Sequence, residues 1–251
     1  MPEGDTIHRT ARTLQRALAG KKVVRFETVL ANLARANDDT PLKGRTIENV
    51  HAIGKHLVID FEGGIHLRTH MRMNGSWHIY RSGEKWQRPR RDMRLVIATD
   101  DFEAVGFNIP VAEFAGDLRE LEHLGPDLLA AEFDVNDAVQ RLRSRPDEAI
   151  ADVLLDQRVL AGVGNIWKSE TLFRAHVHPF TLVRDLTDEQ LAKIATLARK
   201  LLQMSVKADR PYDYFVYMRG GQRCRNCGTA IQRKQQGLDA RSTYWCSKCQ
   251  P

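Results

Sequence analysis

All four cysteines of this 251-residue chain fall in its last 28 residues, as Cys224-x2-Cys227 followed by Cys246-x2-Cys249. Two such knuckles let four thiolates converge tetrahedrally on one ion, the spacing of a structural Zn²⁺ site. Gly228, directly after the first knuckle, permits the tight backbone turn that a knuckle needs. A pair of disulfides or a purely structural clip would satisfy the same spacing. The metal is favoured because no other cysteine is present and because the start of the chain shows no basic region leading into an apolar stretch. Residues 219–251 carry seven basic side chains, Arg219, Arg223, Arg225, Arg233, Lys234, Arg241 and Lys248, against one acid, Asp239. The formal net charge of +6 therefore resides in this tail, and four thiolates on one Zn²⁺ still leave it cationic. Each Lys or Arg that neutralises a phosphate releases condensed counterions, so nucleic acid is the partner that a small, rigid, basic zinc hairpin selects.

A potential nucleophile stands at the other end. Methionine before a small residue such as Pro2 is normally removed, which leaves a secondary amine as the first atom of the mature chain. An α-amino group has a reference pKa of about 7.7–8.0, so part of it is neutral at cellular pH. The positive end of a following helix favours that neutral form. Attack on a sugar C1′ gives an iminium ion that cannot lose a proton to become a neutral imine; it remains an electron sink and links base loss to strand cleavage. Glu3, adjacent, is placed to move protons to and from the sugar. On these residues alone, Pro2-Glu3-Gly4-Asp5 reads more simply as a helix lead-in.

A third candidate is the turn Gly162-Val163-Gly164-Asn165 after Arg158, where free backbone N–H groups at a helix start can hold a phosphate. It follows a helix and not a strand, so it fails the dinucleotide-binding pattern, and on these residues alone a plain interhelical turn is the favoured reading.

These residues need elements to position them. With 42% hydrophobic residues the chain can bury real cores, and its length suggests one large or two modest domains plus the zinc tail. No apolar run approaches the roughly 18 residues of a membrane span. The expectation is a soluble, cytoplasmic, nucleoid-associated protein with no membrane partner. Ile7, Ala11, Leu14 and Leu18 predict a helix over 5–19, with Asp5 as N-cap and Gly20 as stop. Seven β-rich runs follow, over 23–26, 47–52, 56–61, 65–71, 76–80, 94–99 and 102–107, which suggests a β-sandwich. Gly54-Lys55, Gly63-Gly64 and Asp100-Asp101 each separate two runs as a hairpin, which puts Lys55 at a tip. The acidic stretch Glu113 to Asp137, with Gly125-Pro126, marks a hinge. Helices are expected over 136–143, 147–157, 166–174 and 188–206. His66 and His70 share one strand face; a second metal site there is weighed against ordinary solvated histidines and set aside.

Taken in order, Pro2-Glu3-Gly4, Gly54-Lys55-His56-Leu57, the segment His70 to Ser76, the segment Leu154 to Ile166, Ser169-Glu170 and the two knuckles resemble the formamidopyrimidine-DNA glycosylase and endonuclease VIII family. The resemblance runs from Pro2 to the last cysteines. It implies an α+β fold: an N-terminal β-sandwich with an N-terminal helix, a helical domain with a helix-two-turns-helix element, and a C-terminal zinc-finger β-hairpin. The corresponding divisions are 1–114 for the catalytic β-sandwich, 115–134 for the linker, 135–218 for the helical domain and 219–251 for the zinc finger. By this resemblance Pro2 is the Schiff-base nucleophile, Glu3 the acid/base and Lys55 a phosphate contact of the catalytic site. Arg158, Gly164 and Asn165 contact DNA from the helix-two-turns-helix, and Arg241 does so from the zinc finger. Cys224, Cys227, Cys246 and Cys249 hold one structural Zn²⁺, and Met71, Arg72 and Met73 fill the hole left by a flipped nucleotide. The implied protein is a monomeric bifunctional glycosylase and abasic lyase of base excision repair. It acts on damaged double-stranded or single-stranded DNA and leaves a one-nucleotide gap by β,δ-elimination.

The chain departs from the family in three places. The region Gly106 to Phe114 lacks the Arg-x-Phe wedge of formamidopyrimidine-type relatives, and the connection after Val206 is short for a purine-covering loop; both favour oxidised pyrimidines. Thr6 and His8 stand where the family is usually acidic, which keeps open a non-catalytic binder of damaged or abasic DNA. A zinc-ribbon module of an unrelated RNA-associated protein would explain the tail alone, but not Pro2-Glu3 or the glycine turn.

Overall fold

Alternation of apolar and polar residues sorts the chain from Arg25 to Ala115 of the computed structural model into two four-stranded antiparallel sheets. Residues 2–208, 212–237 and 240–251 are described; Met1, Leu238, Asp239 and the stretch 209–211 of the connection after Val206 lie outside them. The strands are β1 (Arg25–Thr28), β2 (Ile47–Ile53), β3 (His56–Phe61), β4 (Ile65–His70), β5 (Ser76–Arg81), β6 (Met93–Ala98), β7 (Phe102–Phe107) and β8 (Val111–Ala115). One sheet has the order β1-β6-β7-β5 and the other β2-β3-β4-β8. Leu57, Ile59 and Phe61 of β3, Leu67 of β4, and Leu95 and Ile97 of β6 point into one core, which Ile7, Leu14 and Leu18 of helix α1 (Gly4–Leu18) also enter. The opposite side of β6 and β7 buries Val96, Val105 and Phe107 against Tyr80 and Met93. A β-strand can serve two apolar faces in this way because successive side chains alternate.

Three expectations need correction here. Asp5 is not the N-cap of α1 but lies inside the helix, which begins at Gly4. Val111–Ala115 is a strand paired with β4 from His66↔Ala115 to His70↔Val111, so Glu113 to Ala115 is sheet and not hinge. Helix α2 (Ala31–Asp39) packs on β8 and β1 and was not expected; Leu33 is its one buried residue, too little for a readable apolar stripe.

Contacts divide the chain into two units: Pro2 with Thr6–Glu122, and Glu3–Asp5 with His123–Pro251. The second contains α3 (Val135–Arg143), α4 (Ile150–Val153), α5 (Asn165–Ala175) and α6 (Asp188–Lys207), followed by the hairpin of β9 (Gln232–Gln236) and β10 (Arg241–Trp245). The helix expected over 147–157 shrinks to the four residues of α4, because the N–H groups of Ile150 and Ala151 donate to the carbonyls of Thr181 and Pro179. Thr187 and Gln190 form a capping box at the start of α6. Its Leu191, Ile194, Ala198 and Leu202 share a core with Leu160, Trp167 and Leu172. Phe173, Val216 and Ile231 pack with Cys224 and Cys246, which ties the hairpin base to α5. Among the described residues no helix is long and apolar enough to cross a membrane.

The turn between β4 and β5 depends on Gly75. Its N–H donates to the Met71 carbonyl at 2.9 Å, and a Cβ there would lie 2.6 Å from that oxygen. Gly75→Ala is expected to lower stability by roughly 2 kcal/mol, the usual scale for an uncompensated backbone clash, as read by thermal unfolding.

Candidate active site and nucleic-acid interface

The N-terminus of α5 is an anion site, and its anion comes from the chain itself. Glu3, 1% exposed, accepts the N–H of Gly164 at 3.0 Å and of Trp167 at 3.2 Å on Oε2, and that of Ile166 at 2.8 Å on Oε1. Three converging donors at the positive end of a helix suit a carboxylate. Glu3 thus takes the N–H groups of Gly164, Ile166 and Trp167, and that of Asn165 is not among its donors. The glycines make the approach possible. Gly4 N–H donates to the Gly162 carbonyl at 2.9 Å, and a Cβ on Gly4 would meet Gly162 Cα at 2.9 Å. A Cβ on Gly164 would lie 2.3 Å from Glu3 Cδ. Asp5, 5% exposed, accepts Trp167 Nε1–H at 3.0 Å and the Ser205 hydroxyl at 2.5 Å. The peptide that follows Pro2 is thus fixed on both sides of Gly4, and Pro2 itself is half-buried.

From α5 a second set of contacts reaches the zinc hairpin. Asn165, 8% exposed, donates Nδ2–H to the Ser242 carbonyl at 2.8 Å. Its side-chain amide thus uses one N–H on the hairpin. Lys168, fully buried, donates Nζ–H to Thr243 Oγ1 at 2.7 Å. Burial pushes the Lys168 ammonium down to about 8 despite the opposing charges of Asp152 and Glu3, and Arg241 pushes it the same way. Arg241 begins β10, and the α5 cation thus lies in its field. Arg158 Nε and Nη2 donate to both oxygens of Asp156 at 3.0 and 2.9 Å, with the side chain still largely exposed. The open pocket it lines with Arg241 also contains Asp147, Glu148, Asp152 and Asp156.

Glu170, also fully buried, accepts the N–H groups of Phe215, Val216 and Tyr217, each at 2.9 Å in its shortest contact. It pins a segment whose rings run from Trp167 through Tyr212, Tyr214 and Tyr217 to Tyr244, with neighbouring centroids 5.1 to 5.6 Å apart. Tyr214 is pushed up to about 12 by burial and by the negative charges of Asp5 and Glu3, which places this aromatic row beside the N-terminal peptide. Sequence reasoning missed Lys168, Tyr214 and Tyr217; only the count of tyrosines between 212 and 217 hinted at the row.

The four cysteines meet the geometry of the expected ion. Their Sγ atoms all lie within 4.8 Å of one another, and the 3.4 Å Cys227–Cys246 and 3.9 Å Cys224–Cys249 separations are far too long for disulfides. Burial pushes the Cys246 and Cys249 thiols up, a cost that a divalent cation reverses by replacing their protons. Among the described residues this is the one group suited to a metal. His66 instead pairs with Asp60 at 2.6 Å, and Asp60 also faces His51 at 3.2 Å.

In the first unit Lys55 occupies the tip between β2 and β3, after Gly54 in a left-handed conformation. The neighbouring His56 ring meets that of His70 edge-on at 4.9 Å. The three residues expected to fill a DNA stack separate. Met71 is 2% exposed and belongs to the sandwich core, so its expected role is corrected; Met73 is 61% exposed and Arg72 is exposed with φ +46°. The left-handed Arg72 reverses the chain so that the two methionines face opposite ways.

The chain matches three family descriptions: the formamidopyrimidine-DNA glycosylase N-terminal domain over residues 1–110, its H2TH domain over 124–212, and the zinc finger found in FPG and IleRS over 221–251. It is 40% identical to the probable endonuclease 8 2 of Streptomyces coelicolor, over 100% of this chain and 94% of that protein. It is 35% identical to the DNA-(apurinic or apyrimidinic site) lyase Nei2 of Mycolicibacterium smegmatis, over 100% and 99%. In fold it is similar to Lactococcus lactis formamidopyrimidine-DNA glycosylase non-covalently bound to DNA containing an AP site, with TM-score 0.86, 22% identity and 99% of both chains covered.

Two outcomes follow from this geometry. Gly164→Ala forces Glu3 off its three donors without altering its chemistry, and strand cleavage at an abasic site should fall about 100-fold, the scale of a 1 Å misplacement. Lys168 binds fewer protons folded, at about 8, than unfolded, at its ordinary 10.5, so stability should rise with pH across that interval. Lys168→Met should therefore be more stable by roughly 2 kcal/mol at pH 7, with the gain fading above pH 8 in thermal unfolding against pH.

Proposed function

Because the chain belongs to the formamidopyrimidine-DNA glycosylase and endonuclease VIII family, we propose that it is a DNA glycosylase and abasic lyase of base excision repair whose nucleophile is the secondary amine of Pro2. The observation that carries this reading is the clamp on Glu3. Two amides of α5 and that of Gly164 just before it hold the residue that follows Pro2, and the bonds of Gly4 and Asp5 hold the next two. A nucleophile on a free chain end would lose its orientation; this one is held by buried backbone contacts.

The amine attacks C1′ of a flipped nucleotide, the glycosidic bond breaks, and the base leaves with the bonding pair and a proton. The C1′–O4′ bond then opens, O4′ takes a proton, and the nitrogen lone pair moves into the C1′–N bond, which gives an iminium ion one residue from the Glu3 carboxyl. Loss of a C2′ proton, for which Glu3 is the nearest base in sequence, expels the 3′ phosphate. A second elimination expels the 5′ phosphate and leaves a one-nucleotide gap. Lys55 and Arg241 hold phosphates of the damaged strand, and Arg72 and Met73 fill the hole in the stack. Zn²⁺ on the four cysteines would close the hairpin that presents Arg241, and its chemistry there is structural.

Oxidised pyrimidines are the proposed substrates. Only Asn108 to Pro110 separate β7 from β8, so no wedge loop projects there. We further propose that the protein acts as a monomer on duplex or single-stranded DNA, with the functional divisions 1–114, 115–134, 135–218 and 219–251.

Pro2→Gln is the decisive variant, because a bulky second residue retains Met1 and moves the free amine by one position. Borohydride trapping on dihydrouracil or abasic duplexes should fall by roughly 10³-fold or more, as for a deleted nucleophile. Affinity for a duplex with an uncleavable abasic analogue should stay within a few-fold. Undiminished trapping would overturn the assignment of Pro2, and binding of wild type without trapping would leave a non-catalytic binder.

A further inference from the structure

Beside Met73 the β-sandwich opens a groove of about 920 Å³ lined by Arg72, Arg88, Arg94, Asn108 and Pro110, among others. Three guanidinium groups face it and no carboxylate does. Arg94 Nη1 donates to the carbonyls of Arg91 and Met93 at 3.1 Å, which fixes its position without neutralising its charge. Arg72, Arg88 and Arg94 have no carboxylate partner among the described residues. Their neighbours differ: Arg25 pairs with Glu27 and Glu103, and Arg90 with Glu27. The fold therefore leaves charge uncompensated at this groove while compensating it next door. Two of its lining residues, Arg72 at φ +46° and Asn108 at φ +49°, adopt the left-handed conformation without being glycine. Such strain concentrates at functional sites.

The place of the groove indicates which part of a nucleic acid it meets. The turn from β4 to β5 crosses from the sheet β2-β3-β4-β8, which carries Lys55, to the sheet β1-β6-β7-β5, which carries Arg94. Met73 sits on that turn, exposed, between the two. With the damaged strand on the Lys55 side and Met73 in the hole of the stack, the next backbone beyond Met73 is that of the partner strand.

We propose that this groove binds the phosphodiester backbone of the strand opposite the lesion, with Arg88 and Arg94 as its phosphate contacts. The proposal rests on the glycosylase reading for the placement of the damaged strand, and on the groove itself for the charge. It supplies from the β5–β6 segment a hold on the second strand that does not require an Arg-x-Phe wedge.

The test compares Arg88→Ala, Arg94→Ala and the double variant with wild type. Equilibrium binding is measured against salt on a duplex with a tetrahydrofuran abasic analogue and on the lesion strand alone. For each arginine lost, the duplex should show a salt slope shallower by about 0.9. The double variant should bind the duplex roughly tenfold more weakly at low salt, with single-strand affinity within twofold of wild type. Equal losses on both substrates would assign the groove to the damaged strand and overturn the proposal, as would an unchanged duplex affinity. Arg94→Lys keeps the charge and should restore the slope; if Arg94→Ala unfolds, Arg88→Ala alone decides. No bond cleavage is read, so failure of wild-type trapping would remove the glycosylase-lyase reading and leave this result standing.

Discussion

The carboxylate of Glu3 on the first amides of α5 is the contact on which the rest of the site depends. A helix start leaves N–H groups that must find acceptors, and buried ones are costly to leave unpaired. Here the acceptor is a residue 161 positions upstream of Gly164. The same bond that satisfies the helix therefore holds the chain end, and neither can be changed alone. Gly4 and Gly164 are required by this contact because two backbones and a carboxylate share a space with no room for a Cβ, and Gly162 is favoured by its φ of +101°.

Much of this arrangement was legible in the sequence, and the rest failed for identifiable reasons. Period-two alternation and Gly54-Lys55, Gly63-Gly64 and Asp100-Asp101 disclosed seven strands and their hairpins, because strand patterning and turn residues are local signals. The cysteine spacing disclosed the metal site for the same reason. That Glu3 folds back onto the glycine turn was not legible, since nothing local to either segment shows it. Met71 and Met73 could not be told apart until the left-handed Arg72 was seen. Lys168 was invisible because lysine in a helix is normally a surface residue.

Helix α5 explains why such exceptions gather in one place. Nine of its eleven residues are buried, yet Asn165, Lys168, Ser169, Glu170 and Thr171 are polar. A helix buried on all sides is ordinarily apolar all round. This one instead places a polar group towards each of several distant segments: its first amides towards Glu3, Trp167 Nε1 towards Asp5, Lys168 and Asn165 towards β10, Glu170 towards the amides of 215–217. Removing one partner of a buried charge costs about 3–5 kcal/mol, more than most domains can lose without consequence.

Zinc enters the chemistry through this hub. What an ion on the four cysteines would fix is β10, whose Ser242 carbonyl and Thr243 hydroxyl pair with Asn165 and Lys168. Closing the hairpin therefore completes the acceptors on one side of α5 while Glu3 completes those at its start. The His176 ring meets the Cys249 carbonyl at 3.0 Å, and Gln250 Nε2–H donates to the Val177 carbonyl at 2.8 Å, so the second knuckle is anchored just beyond the end of the same helix. The four cysteines near the C-terminal end of the chain and the Glu3 carboxylate near its N-terminal end are thus coupled by one helix whose buried polar groups have few alternatives to the partners they hold.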